Sequence, residues 1–282
     1  MPLDAHRSPF RYPGGKASLA PFLADVIREN FGVVERYCEP FAGGAGAATL
    51  LLGAGLIECA HLNDADPRVY YAWNSILEET EEFLERLNAV PLTMNEWWRQ
   101  KDIIDNITAY STMEIGFATF FLNRTNRSGI LQKAGPIGGY AQEGKWGLEA
   151  RFNRQGLRDR IQFIASNKNR IELTNLDAIS LMQDPKRDWS SCLLFIDPPY
   201  VGAGSRLYFN SMDEEKHILF ASILNDLRHY WLLTYDDHYL VRALYSTHVI
   251  DDLPIRYALQ RKRVERELLI KSPDIRLPAT VG

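Results

Sequence analysis

Four times along this chain an apolar stretch stops at or near an acid: Cys38 leads into Glu39, residues 57–62 into Asn63 and Asp64, residues 170–175 toward Asp177, and residues 192–196 into Asp197. A strand followed at once by turn residues and then a helical pattern is the unit of a parallel sheet covered by helices. The pieces between fit that unit. Residues 17–31 carry Leu19, Phe22, Leu23, Val26 and Ile27 on one face, with Gly32 as a stop signal. Residues 47–52 read as a helix after a glycine turn, and residues 67–87 as one long helix with an acidic outer side. Later come a helix at 213–227, a strand at 230–234, a short helix at 238–245, and strands at 247–250 and 264–271 flanking a possible hairpin.

The alternation breaks between about residues 91 and 156. Helical stretches at 95–105 and 114–123 lead into LNRTNRSGILQKAGPIGGYAQEGKWG, rich in Gly, basic and aromatic residues and too long for an ordinary connection in a compact domain. This reads as an inserted binding region. The expected organisation is therefore a catalytic domain formed by residues 1–90 and 165–282, with an insertion at 91–164.

Charge is unevenly spread. The formal net charge is −4, which is unlike a strongly basic non-specific nucleic-acid binder. Yet residues 124–170 hold ten Lys/Arg against three acids, and residues 256–276 seven against three. The acids gather elsewhere, as in Glu78, Glu79, Glu81, Glu82 and Glu85, so a basic face and an acidic back are expected. Cys38, Cys59 and Cys192 are scattered in apolar contexts. With no CxxC and no metal-like spacing of the six histidines, neither a zinc site nor a disulfide framework is indicated. The first residues lack the apolar core of a secretory leader, and the uncharged run 40–57 contains five glycines and is too short to span a membrane. A reducing cytoplasm is the expected setting.

Two constellations carry chemistry. In EPFAGGAG, residues 39–46, a strand ends in an acid and glycines turn the chain into a helix, where backbone can approach a ligand closely. Asp64, at the end of the next strand, suits the two hydroxyls of a ribose, although it could equally cap a helix. NAD is the first alternative. A GxGxxG reading starting at Gly44 and Gly46 fails at Thr49, and Glu39 would repel a pyrophosphate while welcoming an ammonium group. S-adenosylmethionine has an ammonium, a ribose and no phosphate. The second constellation is Asp197-Pro198-Pro199-Tyr200. The amine of adenine is a poor nucleophile because its lone pair is delocalised into the ring. An Asp oxygen and a Pro carbonyl can each accept one N–H, favouring a more tetrahedral nitrogen whose lone pair is free to meet a methyl group. Tyr200 can stack on the base, and two prolines stiffen the backbone and bring no competing donor. In-line geometry then does most of the catalytic work.

In order along the chain, RYPGGK (11–16), EPFAGGAG, LNDADPRVYYAWN (62–74), FFLNRTNRSG (120–129), IDPPY and RKRVERELLI (261–270) resemble the Dam-like, D12 class family of DNA adenine-N6 methyltransferases. The resemblance implies an α/β, class I S-adenosylmethionine-dependent fold, Rossmann-like with a mostly parallel seven-stranded sheet and a mainly helical target-recognition insertion. It implies no metal. It implies that Tyr12, Lys16, Glu39, Pro40, Phe41, Gly43, Gly44, Asp64, Asp177 and Asp197 surround the donor, with Asp177 alternatively a helix cap. Asp197, Pro198, Pro199 and Tyr200 become the catalytic clamp. Arg124, Asn126, Arg127, Ser128, Gln132 and Lys133 become candidate contacts to DNA, and the target adenine must be flipped out of the duplex. GATC-methylating relatives tend to have Tyr-Asn-Gly at 127–129 and an Arg at 132, so Arg127-Ser128-Gly129 and Gln132 argue against that target.

The expected function is thus site-specific or relaxed methylation of adenine in double-stranded DNA by a cytoplasmic monomer. A restriction or phage-encoded partner protein is compatible with it. The competing readings are an RNA adenine methyltransferase, a protein glutamine methylase (which favours Asn in place of Asp197), an NAD-dependent oxidoreductase, and a catalytically silent DNA-binding relative.

Overall fold

The structure, a computed structural model, describes residues 6–11, 16–131, 134–201, 212–256 and 264–278. Strands β1 (Val34–Glu39), β2 (Ile57–Asn63), β3 (Ile171–Thr174), β4 (Cys192–Ile196) and β5 (Tyr230–Asp236) pair in parallel. Strands β6 (Ile250–Arg256) and β7 (Val264–Lys271) run antiparallel, and β7 lies between β5 and β6, giving the order β3-β2-β1-β4-β5-β7-β6. The expected mostly parallel seven-stranded sheet is therefore present. β6 begins at Ile250, where the strand expected at 247–250 ends, and runs on through Pro254. As the edge strand, β6 tolerates a residue without a backbone N–H.

Helices cover both faces. A 3-10 turn (Lys16–Leu19) runs into α1 (Ala20–Asn30), which ends where Gly32 adopts a left-handed φ of 73° and its N–H reaches back to the Ile27 carbonyl. After β1 comes α2 (Gly46–Gly53), and after β2 comes α3 (Pro67–Glu78), with Pro67 in its first turn and Asp66 accepting from the Arg68 N–H at 3.0 Å. The expected single helix over 67–87 is two, because α4 (Thr80–Ala89) starts after Glu79 leaves helical geometry. The Thr80 hydroxyl donates to the Ile76 carbonyl at 2.7 Å, a side-chain bond of the kind that bends helices.

Residues 94–166 are mainly helical: α5 (Met94–Asp105), α6 (Thr112–Thr125) and α7 (Arg154–Ser166). A reciprocal capping box between Ser111 and Glu114 fixes the start of α6. Sequence reading missed α7, which buries the stripe Leu157, Ile161 and Ile164 and packs Phe163 beside it. These helices do not form a core of their own. Trp97, Phe117, Phe120 and Leu157 join Phe83, Trp73, Ile57 and Tyr37 in one cluster on one sheet face. The other face packs Cys38, Leu194, Ile196 and Trp231 against α8 (Ala178–Met182) and α9 (Glu214–Asp226), with α10 (Tyr239–Leu244) beside β5. Tyr37 and Cys38 point to opposite clusters, as strand alternation requires.

The site follows from the strand order. After β2 and β3 fall on one side of β1, the chain crosses to β4 on the other. The switch opens a crevice outside the carboxyl ends of β1 and β4, where open α/β sheets bind ligands. Glu39 and Asp197 stand at those two ends.

Candidate active site

β4 is buried throughout, and Asp197 is the first residue beyond it. Its Oδ1 accepts from the Thr234 hydroxyl at 2.8 Å, lies 3.0 Å from the Lys16 ammonium, and stands 3.4 Å from the Tyr200 hydroxyl. Among the described residues every hydrogen bond and ion pair of Asp197 falls on Oδ1 and none on Oδ2. Lys16 is only 5% exposed. Its ammonium also donates to the Tyr200 hydroxyl at 2.7 Å and lies 3.2 and 3.0 Å from the two oxygens of Glu267 on β7. The Tyr200 hydroxyl in turn donates to Glu267 Oε1. Burial works against the charge on Lys16, but Asp197 and Glu267 outweigh it and hold its pKa above the ordinary value. Burial pushes Glu267 up to about 7 despite Lys16.

Lys16 reaches this position because its turn is pressed onto the start of α2. A Cβ at Gly46 would lie 3.0 Å from Ala17 Cβ and 3.2 Å from its nitrogen, so glycine allows the contact.

The glycine loop forms the other half. The Glu39 carboxylate accepts from the Tyr37 hydroxyl at 3.1 Å and from the Ala48 N–H at 2.9 Å, at the amino end of α2. Burial pushes it up to about 8. Gly43 and Ala45 both take left-handed backbone, and Trp73 Nε1 donates to the Gly43 carbonyl at 2.9 Å. Asp64 accepts from the N–H groups of Gly43 at 2.8 Å and Asp66 at 2.9 Å, and burial pushes it up to about 7. The helix cap of α3 is Asp66, not Asp64. Pro40 lends its carbonyl to Asn63 at 2.9 Å, and Phe41 packs edge-on against Phe220 with ring centroids 5.6 Å apart. Gly44 completes the turn. Asp177 is exposed and caps α8, accepting from Ile179 N–H at 2.9 Å and Ser180 N–H at 3.4 Å.

Three residues of this site escaped sequence reading. Glu267 ends the charged stretch Glu265-Arg266-Glu267 of β7, Thr234 sits inside the apolar run of β5, and Asn63 ends β2 just before the acid that drew attention. Asn63 is fully buried and binds the loops after β1 and β3 together, donating to the carbonyls of Pro40 and Leu176. Only Thr234 carried a signal, a polar residue interrupting an apolar strand.

The DNA candidates divide. Arg124 is inside the protein. Its Nε donates to the Arg151 carbonyl at 2.8 Å and its Nη1 to the Pro9 carbonyl at 3.3 Å, while burial and then Arg11 lower its pKa to about 9. Asn126 is also buried, accepting from Trp97 Nε1 at 2.7 Å and donating to the Ile130 carbonyl at 2.8 Å. Both therefore hold the fold, contrary to the expectation of DNA contact, because α6 is buried almost all round. Arg127 is exposed, and Ser128 is half-buried in left-handed backbone. Gln132, Lys133 and Tyr12 lie outside the described residues. Nearby, Trp98, Tyr140 and Trp146 are 54%, 61% and 63% exposed, and the rings of Trp98 and Tyr140 stack at 5.6 Å. Among the described residues no helix is long and apolar enough to cross a membrane.

No curated protein matches the chain. Among solved structures, it is similar to a putative class I S-adenosylmethionine-dependent methyltransferase from Listeria monocytogenes (12% identity, TM-score 0.39, covering 95% of this chain and 63% of that one). It is also similar to an S-adenosylmethionine-dependent methyltransferase from Agrobacterium tumefaciens (13% identity, TM-score 0.40, covering 91% and 61%). The chain thus spans about three-fifths of the length of either. The match that decides the family runs over residues 12–259, which include the glycine loop, the insertion and the DPPY segment. With its mostly parallel seven-stranded sheet, the chain belongs to the D12 class N6 adenine-specific DNA methyltransferase family, and its fold is that of the class I methyltransferases.

Proposed function

We propose that the protein transfers a methyl group from S-adenosylmethionine to the N6 amine of an adenine flipped out of double-stranded DNA, in the cytoplasm and as a monomer. The observation that carries this reading is Asp197. The Thr234 hydroxyl and the Lys16 ammonium bond Oδ1, and among the described residues no hydrogen bond or ion pair falls on Oδ2, so one carboxylate oxygen is fixed and the other can accept from an amine. Family membership supplies the base.

The donor fits the residues. Glu39 and Asp64 are carboxylates desolvated enough to be pushed to about 8 and 7, and among the described residues no salt bridge to either is found. A ligand bringing an ammonium for Glu39 and ribose hydroxyls for Asp64 supplies what they lack. When bound, S-adenosylmethionine supplies an electrophilic methyl group. The protein's own part is to orient. The Asp197 Oδ2 and the Pro198 carbonyl each accept one N–H of the target amine, and the Tyr200 ring supports the base. Thr234 and Lys16 keep Asp197 from rotating away. The nitrogen becomes acidic once it carries the methyl, so no strong base is needed.

Donor binding should depend on pH. Glu39 and Asp64 have folded pKa values raised above the ordinary carboxylate range, so near pH 6 both are largely protonated. A cationic ligand favours their ionised forms. Affinity for S-adenosylmethionine is therefore expected to rise from pH 6 to pH 8, by up to about tenfold per pH unit for each group released, with protons leaving on binding. Titration calorimetry in buffers of different ionisation heat measures that release. A flat affinity over this range contradicts the assignment.

The exposed aromatic residues suit nucleic acid, since base stacking on such rings is worth about 1–3 kcal/mol per base. Replacing both Trp98 and Tyr140 by Ala is expected to weaken duplex binding about tenfold or more while leaving donor affinity unchanged. Fluorescence anisotropy with labelled duplex checks it. The function itself is tested by incubating the protein with S-adenosylmethionine and unmethylated genomic DNA and mapping N6-methyladenine at base resolution. Methyladenine at a defined motif supports the proposal. Methylation of RNA and not DNA redirects it to an RNA acceptor.

A further inference from the structure

We infer that Glu267 is a positioning residue for methyl transfer: from β7 it draws the Lys16 ammonium partly away from Asp197 and holds the Tyr200 hydroxyl, so that Oδ2 of Asp197 is left to the target amine and the Tyr200 ring stays fixed. The inference rests on the proposed reaction and goes beyond it, because Glu267 belongs to neither the glycine loop nor the DPPY segment.

The geometry is unusual for a surface-independent ion pair. One buried ammonium serves two carboxylates, at 3.0 Å from Asp197 Oδ1 and 3.0 Å from Glu267 Oε2, and also donates to Tyr200 at 2.7 Å. Glu267 is only 2% exposed. Burying a charge in this way costs several kcal/mol per ion and rarely adds net stability, so a well-packed apolar residue would serve a purely structural role better.

Consider the site without the Glu267 charge. Lys16 is then left to Asp197 alone and neutralises the carboxylate meant for the amine. The Tyr200 hydroxyl loses its acceptor on β7 and turns to Asp197 Oδ1, 3.4 Å away, or to solvent. With Glu267 ionised, the ammonium is divided between the two acids and the hydroxyl is held on the far side. The groups facing Glu267 are Lys16 from the 3-10 turn, Asp197 and Tyr200 from beyond β4, Asp236 from β5 and Leu253 from β6.

The test is the pH dependence of single-turnover methyl transfer at saturating S-adenosylmethionine and duplex, for the unaltered protein and Glu267→Gln. Burial raises Glu267 to about 7, so its charge, and with it the rate, should be gained as pH rises through 7. In Glu267→Gln the rate is expected to fall about 10–100-fold, the scale of a mispositioned reacting group, and to lose that acid limb. Donor affinity should change less than twofold. A Glu267→Gln rate within twofold of the unaltered protein, or a slower one with the limb intact, overturns the inference. Should Glu267→Gln fail to fold, Glu267→Asp keeps the charge and withdraws it from Tyr200. A slowed rate with the limb retained supports the inference, and an unchanged rate overturns it. Failure of the unaltered protein to methylate any adenine in nucleic acid overturns the underlying reaction instead, which separates the two failures.

Discussion

Replacing Asp197 with Ala is expected to lower methyl transfer by about 10²–10⁴-fold while leaving S-adenosylmethionine binding within a few-fold of the unaltered protein, the range found when a positioned acceptor or proton-transfer group is removed. The asymmetry of the two effects is the informative part. Asp197 is held by the protein through Oδ1, by way of Thr234 and Lys16, with the Tyr200 hydroxyl 3.4 Å away. The carboxylates proposed to meet the donor, Glu39 and Asp64, hold their own bonds to Tyr37, Ala48, Gly43 and Asp66 and do not pass through Asp197. Removing the Asp197 carboxylate therefore strips the amine of one acceptor without dismantling the glycine loop. Lys16 keeps Glu267 as a counter-charge, so the variant leaves no unpaired buried ammonium. Asn at position 197 should be milder than Ala, because its amide oxygen can still accept one N–H, although it no longer pairs with Lys16. Radiolabelled methyl incorporation under single-turnover conditions, with calorimetry for the donor, measures both quantities. A rate loss below tenfold sinks the clamp, and a parallel collapse of donor affinity shows that Asp197 acts on the donor instead.

The strands that carry this site were legible because each ends abruptly in an acid and turn residues. β4 matches its expected bounds, and β2 overruns its expected bounds by one residue. Two helices of this region were legible in outline, expected at 95–105 and 114–123, but the Ser111–Glu114 capping box that opens α6 two residues earlier was not read. What failed was the direction of side chains. Arg124 and Asn126 lie in a segment that resembles a DNA-contacting motif, yet TMEIGFATFFLNRT is nearly free of charge, and a helix apolar all round is a buried one. That pattern outweighs motif membership. Glu267 and Thr234 failed for the opposite reason. Thr234 is a single polar residue in a strand that otherwise reads as core, Glu267 is one of three consecutive charged residues in β7, and only the neighbouring strand shows what either faces. The sheet order that brings Glu267 across from Asp197 places β7 beside β5, a pairing that local periodicity does not reveal.

Asn63 tests how the crevice is held together. Its Nδ2 donates to the carbonyls of Pro40 and Leu176, each at 2.9 Å, and its Oδ1 accepts from the Leu176 N–H at 3.0 Å and the Thr174 hydroxyl at 2.8 Å. The Thr174 oxygen is also 2.8 Å from His61 Nε2, so with its own hydrogen spent on Asn63 it accepts from a neutral imidazole. Burial lowers the pKa of that imidazole to about 4, which agrees with a neutral ring. One amide thus satisfies both loops that flank the donor crevice and fixes the partner of a buried histidine. Asn63→Leu keeps the volume and removes every one of these bonds. Each buried polar group left without a partner costs about 1–3 kcal/mol, and part of that is recovered as the loops shift toward water, so a loss of about 3–5 kcal/mol is expected. Urea unfolding followed by tryptophan fluorescence measures it. The loss should come with weaker binding of S-adenosylmethionine, because Pro40 belongs to the turn that carries Gly43 and Gly44. A variant within about 1 kcal/mol of the unaltered protein shows that these loops are held by the packing beneath them and not by the amide between them.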